Sequence, residues 1–168
     1  MGYSLLIGER VFDEEYYREM LRDDPDLDLT EYCFYHVLPK KLEEAPAFPG
    51  DDLSQHGNDR HPSYSGWAEF CDDVGLADLF FDRENGCLIQ EHSGVMRLER
   101  QHYYAVRVAR KRYQAQYPQA MPEVGPYDYR TGFDKQETCN YNLIRLLWLE
   151  WWMKWALENC KEPSFYNS

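Results

Sequence analysis

The densest apolar pattern in the chain runs from Asn142 to Cys160 (NLIRLLWLEWWMKWALENC). Trp148, Trp151, Trp152 and Trp155 recur at i, i+3, i+4 and i+7, which at 3.6 residues per turn lays one indole stripe along a helix. Leu143, Ile144, Leu146, Leu147, Leu149, Met153, Ala156 and Leu157 fill most of the remaining circumference. Such a helix is covered by neighbours on several sides, with Arg145, Glu150, Lys154 and Glu158 as its exits to water. Asp134 as cap and Pro163 beyond the end place it over about 134–160, and the tail to Ser168 is expected to fray. Burying this many indoles is demanding for one domain, so a homo-oligomer contact through the Trp-rich helix is expected. A membrane span is not: spanning takes ~20 apolar residues with few or no charges, and Arg145, Glu150 and Lys154 interrupt this run.

A second helical pattern extends from about Arg97 to Tyr117 and is closed by Pro118. At 100° per residue Leu98, His102, Ala105, Val106, Ala109 and Tyr113 share a core face, where His102 is expected as a satisfied core residue. Arg100, Tyr104, Arg107 and Lys111 fall at i, i+4, i+7 and i+11 on the opposite side, flanked by Tyr103 and Arg110.

The rest of the chain predicts smaller elements. Tyr3–Ile7 reads as a strand, Asp13 to Glu15 start a helix to about Leu21, and Tyr32–Leu38 is a second strand that pairs with the first. Residues 42–66, rich in Pro and Gly, read as a long loop. A short helix over Trp67–Asp72 is expected to take Ser65 as cap and Gly75 as stop, and the Asn85-Gly86 turn leads to a strand at Cys87–Gln90. The fold class predicted is α+β, mostly α: two long helices, a small antiparallel sheet and long loops, in a single domain over 1–168.

Charge divides the chain. Residues 1–96 carry 22 acids and 7 bases, whereas residues 97–168 carry 11 bases and 8 acids, within a total of −12. That total argues against non-specific duplex DNA binding, which draws on phosphate neutralisation by Lys and Arg. Five scattered cysteines without a CxxC pair indicate neither a disulfide framework nor a zinc knuckle, and MGYSLLIGER has no basic region or long apolar run of a secretory signal; both point to the cytoplasm.

Three surfaces carry candidate chemistry. Arg100, Tyr103, Tyr104, Arg107, Arg110 and Lys111 offer guanidinium forks and phenol faces suited to an anionic nucleotide, or else a solvated basic face that offsets the acidic half. The acidic run of Asp23, Asp24, Asp26 and Asp28 follows Asp13, Glu14, Glu15 and Glu19; it reads as a solvated face or as a docking patch that imitates nucleic-acid charge. His56, Asp59 and His61 supply donor types for a transition metal but match no ligand spacing, so no metal and no cofactor are expected. Glu91 and His92 form a polar corner suited to acid–base work, yet no nucleophile elbow, phosphate loop, dinucleotide fingerprint, zinc-protease or kinase signature is present, and no catalytic residue is assigned.

The stretches HPSYSGWAEF, VGLADLFF and LLWLEWWMKWALENC resemble small uncharacterised bacteriophage-type proteins. The resemblance covers about half the chain and transfers no active site. It implies a compact product that binds and disables host machinery or sequesters a host signal. The function expected is therefore a non-catalytic binding protein, a host-defence antagonist that sequesters an anionic small molecule such as a nucleotide signal. The alternatives are an acidic inhibitor occupying a basic, nucleic-acid-binding surface of a host protein, and a metal-dependent hydrolase.

Overall fold

Strand β1, Leu5–Phe12, pairs along its two halves with different partners. Leu5–Glu9 runs antiparallel to β4 (Pro163–Asn167), and Arg10–Phe12 runs antiparallel to β2 (Tyr35–Val37). Strand β3 (Gly94–Arg97) adds to the far side of β4, which gives a four-stranded antiparallel sheet in the order β2-β1-β4-β3. The computed structural model describes residues 5–26, 28–29, 32–46, 58, 64–82, 88–89, 94–120 and 140–167. Among these the helices are α1 (Glu14–Asp23), α2 (Tyr64–Val74), α3 (Ala77–Phe81), α4 (Arg100–Gln116) and α5 (Tyr141–Asn159). The fold is α+β, with five helices and one small antiparallel sheet among the described residues.

The C-terminal tail overturns the expectation that it frays. Pro163–Asn167 lies between β1 and β3, and Phe165, fully buried, stands opposite Ile7 on one side and Met96 on the other. The Glu9 carboxylate accepts from the backbone N–H groups of Lys161 (2.7 Å) and Glu162 (3.0 Å), and Arg10 pairs with Glu162. These bonds fasten the turn out of α5 onto β1, so that the chain enters β4 in register.

Helix α5 packs against this sheet and along α4. Leu143, Ile144, Leu146, Trp148, Leu149, Trp152, Met153 and Ala156 are buried around its circumference, as expected for a helix covered on several sides. Trp148 and Trp152 are closed off within the chain. Trp151 and Trp155 are half-buried, each edge-on to Trp152, and the Lys40 ammonium lies 4.6 Å from the Trp155 ring. The indoles thus find most of their cover inside one copy. The cap of the described helix is Asn140, whose side-chain oxygen accepts from Leu143 N (2.9 Å) and from the Tyr113 hydroxyl (3.0 Å), tying the end of α4 to the start of α5. Asp134, expected in that role, lies outside the described residues.

Other boundaries shift for local reasons. Arg97 belongs to β3, and α4 starts at Arg100, where the His102 Nδ1 accepts from Glu99 N at 3.0 Å in half of a capping box. Asp13 does cap α1, accepting from Tyr16 N at 2.9 Å. Ser65 is the second residue of α2 and not its cap. Gly75 stops that helix at φ +70, where an added Cβ would collide with the Arg112 guanidinium. Leu88 and Ile89 donate to the Leu79 and Phe80 carbonyls of α3 (3.1 and 3.0 Å) and belong to no strand, contrary to the strand expected there; Cys87 and Gln90 lie outside the described residues.

One buried polar side chain completes the β1–β2 edge. Asn58, 1% exposed, donates from Nδ2 to Ile7 O (3.0 Å) and Leu38 O (2.8 Å) and accepts from Lys40 N (2.7 Å). Gly8 permits this approach, since a Cβ there would sit 3.1 Å from the Asn58 Nδ2. Asn58→Ala leaves three backbone groups without their partner, and we expect a loss of about 3 kcal/mol. Asn58→Asp, which turns a carboxylate towards two carbonyls, is expected to lose at least as much. Urea denaturation checks both, and a loss for Asn58→Ala below about 0.5 kcal/mol would refute the assigned role.

Candidate functional site

Helix α4 presents part of the stripe expected of it. Val106, Ala109 and Tyr113 are buried, which turns Arg100, Tyr104 and Lys111 out to water, with Tyr104 54% exposed. Tyr103 is half-buried, its ring 5.4 Å from that of Tyr104. Arg110 does not join the outward row. It forms a two-pronged ion pair with Glu150 of α5, with Nη2 3.2 Å from Oε1, and this hydrogen bond raises its pKa above the ordinary value. Arg107 lies 3.9 Å from the same carboxylate. Glu150, expected as an exit to water, is the acid that gathers both guanidinium groups.

Two recesses flank this face. Arg100, Tyr103, Tyr104, Lys154, Leu157 and Glu158 line a notch of about 220 Å³, in which Lys154 already faces Glu158 at 3.9 Å. A broader trough of about 620 Å³ lies between α3 and α4. Leu76, Leu79, Ala105 and Ala109 contribute its apolar lining, with Asp78 and Asp82 on the α3 side. Tyr104 and Val108, the latter 62% exposed, stand one turn apart and border it from α4. Val108 gives no signal in the sequence, where it sits between Arg107 and Ala109 on the side of α4 that carries Tyr104 and Lys111. Lys154 and Glu158, expected as exits of α5 to water, also line the notch beside α4.

A second apolar surface lies at the other edge of the sheet. Helix α1 buries none of its residues. It rests on Phe34 through Tyr17 (ring centroids 5.1 Å) and Tyr16 (5.4 Å), while Phe12 meets Tyr17 at a tilt and Tyr35 edge-on, both at 5.4 Å. Phe12, Tyr16, Tyr32, Tyr35 and Leu38 all remain between 37% and 46% exposed. The Arg10 guanidinium sits 4.6 Å from the Tyr35 ring centroid, so one cation already occupies part of this surface.

Tyr16, Glu19 and Asp23 fall at i, i+3 and i+7 on one side of α1, and the expected acidic run continues from its end. Asp23 ends α1, Asp24 is its C-cap and accepts from Asp26 N at 3.1 Å, and Asp23, Asp24, Asp26 and Asp28 are exposed. Arg18 and Arg22 make surface pairs with Glu14 and Asp23, contacts that add little stability in water. The aromatic content of residues 32–38 was legible as a strand, but its exposure was not, because only three residues pair and the ladder is too short to cover the rings.

His56, Asp59 and His61 lie outside the described residues, as does the Glu91–His92 corner. Among the described residues no three His, Cys, Asp or Glu side chains gather closely enough to hold a metal ion, and no helix is long and apolar enough to cross a membrane. Cys33, Cys71 and Cys160 are free thiols; burial raises the pKa of Cys71 strongly, and burial followed by the nearby Glu9 raises that of Cys160 to about 11. Both are therefore protonated and unreactive near neutral pH. No protein-family model, curated protein or solved structure matches the chain.

His102 borders the trough, and burial lowers its pKa from 6.5, opposed in part by Glu99. It binds a proton less readily folded than unfolded, and protonation would convert the acceptor facing Glu99 N into a donor. Its contribution to stability is complete above pH 6.5 and is lost as pH falls below that value. His102→Gln keeps an acceptor without titrating. We expect the urea midpoint of the natural chain to fall more between about pH 7.5 and about pH 5 than that of His102→Gln; parallel falls would refute this coupling.

Proposed function

We propose that the protein acts by binding and not by catalysis, docking its acid-rimmed aromatic face on a basic surface of a partner protein. Such a partner surface is of the kind that otherwise holds nucleic acid. The observation that carries this reading is the exposure of Phe12, Tyr16, Tyr32 and Tyr35, joined by ring contacts through Tyr17 and Phe34, with the exposed acids Glu19 and Asp23 at helical spacing from Tyr16 and Asp24, Asp26 and Asp28 following α1. Contiguous exposed apolar surface rimmed by polar groups marks interaction sites, and tyrosine offers a large contact area and a face for arginine. The acids supply long-range attraction and reject acidic partners. A cytoplasmic host protein as the partner, suggested by the resemblance to phage products, belongs to the same proposal.

The reading in which α4 sequesters an anionic nucleotide has less support. Two of its cations, Arg107 and Arg110, face Glu150. The notch beside Arg100 is about 220 Å³, below the ~300–1,000 Å³ of small-molecule sites.

An arginine-rich peptide tests the proposal by fluorescence titration, with a nucleotide panel run in parallel. We expect the peptide to bind, its affinity to fall at least about tenfold in Asp23→Lys/Asp24→Lys/Asp26→Lys and in Tyr16→Ser/Tyr35→Ser, and to weaken as salt rises. Tight nucleotide binding that Arg100→Ala abolishes and the acidic-face variants leave intact would overturn it in favour of the small-molecule reading.

A further inference from the structure

Among the described residues, most of the exposed large apolar side chains lie at the β2 edge or on the outer side of α4, with acids near the first and cations near the second; Tyr117 stands apart at the C-cap of α4. Phe12, Tyr16, Tyr32 and Tyr35 form one group at the β2 edge of the sheet, and Glu19 and Asp23 share the side of α1 that carries Tyr16. Tyr104 and Val108 form the second, on the helix that follows the β3 edge, where Arg100, Arg107 and Lys111 share their side of α4. Arg100 and Lys111 are exposed cations, and the trough beside Tyr104 and Val108 has room for aromatic side chains.

From this pairing we propose that a second copy of the chain occupies the acid-rimmed face: α1 and the rings of one copy dock on the Tyr104/Val108 ridge of another. The proposal rests on the reading of the acid-rimmed face as a docking surface and names its partner. Each patch supplies what the other lacks. The acids of α1 meet Arg100 and Lys111, and the rings of Phe12, Tyr16 and Tyr35 cover Tyr104 and Val108. Asp78 and Asp82 on the far wall of the trough repel the α1 acids and hold them to the α4 side, which fixes the direction of approach. Because the two patches differ, a twofold dimer makes the contact twice, and any other closure makes it head to tail. The self-contact also hides the face that a basic partner would use, so a basic ligand and self-association compete.

Charge exchange tests this, read by sedimentation velocity over a concentration series. One variant carries Glu19→Lys/Asp23→Lys/Asp26→Lys and the other Arg100→Glu/Lys111→Glu; all five side chains are exposed, and circular dichroism checks that both variants fold. The natural chain is expected to associate with rising concentration and to dissociate at high salt. Each variant alone is expected to stay monomeric, and an equimolar mixture to associate again, since each reversed patch then meets its complement. An arginine-rich peptide is expected to drive the natural assembly to monomer. A natural chain that stays monomeric, or a mixture that fails to recover association, overturns the proposal. If the peptide still binds that monomer through the acidic face, self-pairing falls while the docking surface stands. If the peptide does not bind either, both fall.

Discussion

The insertion of Pro163–Asn167 between β1 and β3 is the constraint from which the rest of the structure follows. Without it the sheet would divide into a β1–β2 pair and an isolated β3, and Ile7 and Met96 would lose Phe165, which stands opposite both. Helix α5 delivers this strand, so the burial of its indoles and the closure of the sheet are one event. The contact joins residues near the two ends of the described chain, and closing so long a loop costs entropy before any pairing repays it. The Glu9 carboxylate acts where that closure is made, holding two backbone N–H groups of the turn ahead of β4.

Sheet order also distributes the surfaces. Strand β2 is one edge and leads back to α1 through Phe12 and Phe34; strand β3 is the other edge and leads forward into α4. The acids of α1 and the cations of α4 therefore emerge at different edges of one sheet. Arg10 and Glu162 pair across the two halves, and within the basic half α5 carries Glu150 to the inner side of α4, where Arg110 answers it. A partly buried pair of this kind adds little net stability against an apolar pair, but it holds the two helices in one rotational setting, because either partner alone would leave a charge poorly solvated.

What the chain revealed in advance was the periodic part. The core face of α4, the many-sided burial of α5 and the cap at Asp13 all depend on spacing or on residues a few positions apart, and these could be counted; the expected pairing of Tyr3–Ile7 with the second strand was not met, since β2 pairs with Arg10–Phe12 and Leu5–Glu9 pairs with β4. The β4 strand could not be found this way. PSFYN is short, opens with proline and alternates only once, so local signals read it as a tail. Its place is decided by a gap between two distant strands. The same limit applied to the basic helix: angular arithmetic put Arg110 at the margin of the outward stripe, and only the docking of α5 could turn it inward.

The aromatic surfaces show the limit in another form. Composition flags tyrosines as groups that pack or stack, but whether a ring ends buried or at the surface depends on how much structure the neighbouring segment can lay over it. Phe165 of β4 and Phe80 of α3 are both fully buried in the core and contact each other at 5.6 Å. Phe12 and Tyr35 make an equally close pair, at 5.4 Å, yet they lie beneath a helix that buries nothing and beside a three-residue strand. The difference is one of cover and not of attraction between rings. Burial of the first pair stabilises the fold, whereas the second leaves apolar area in contact with water.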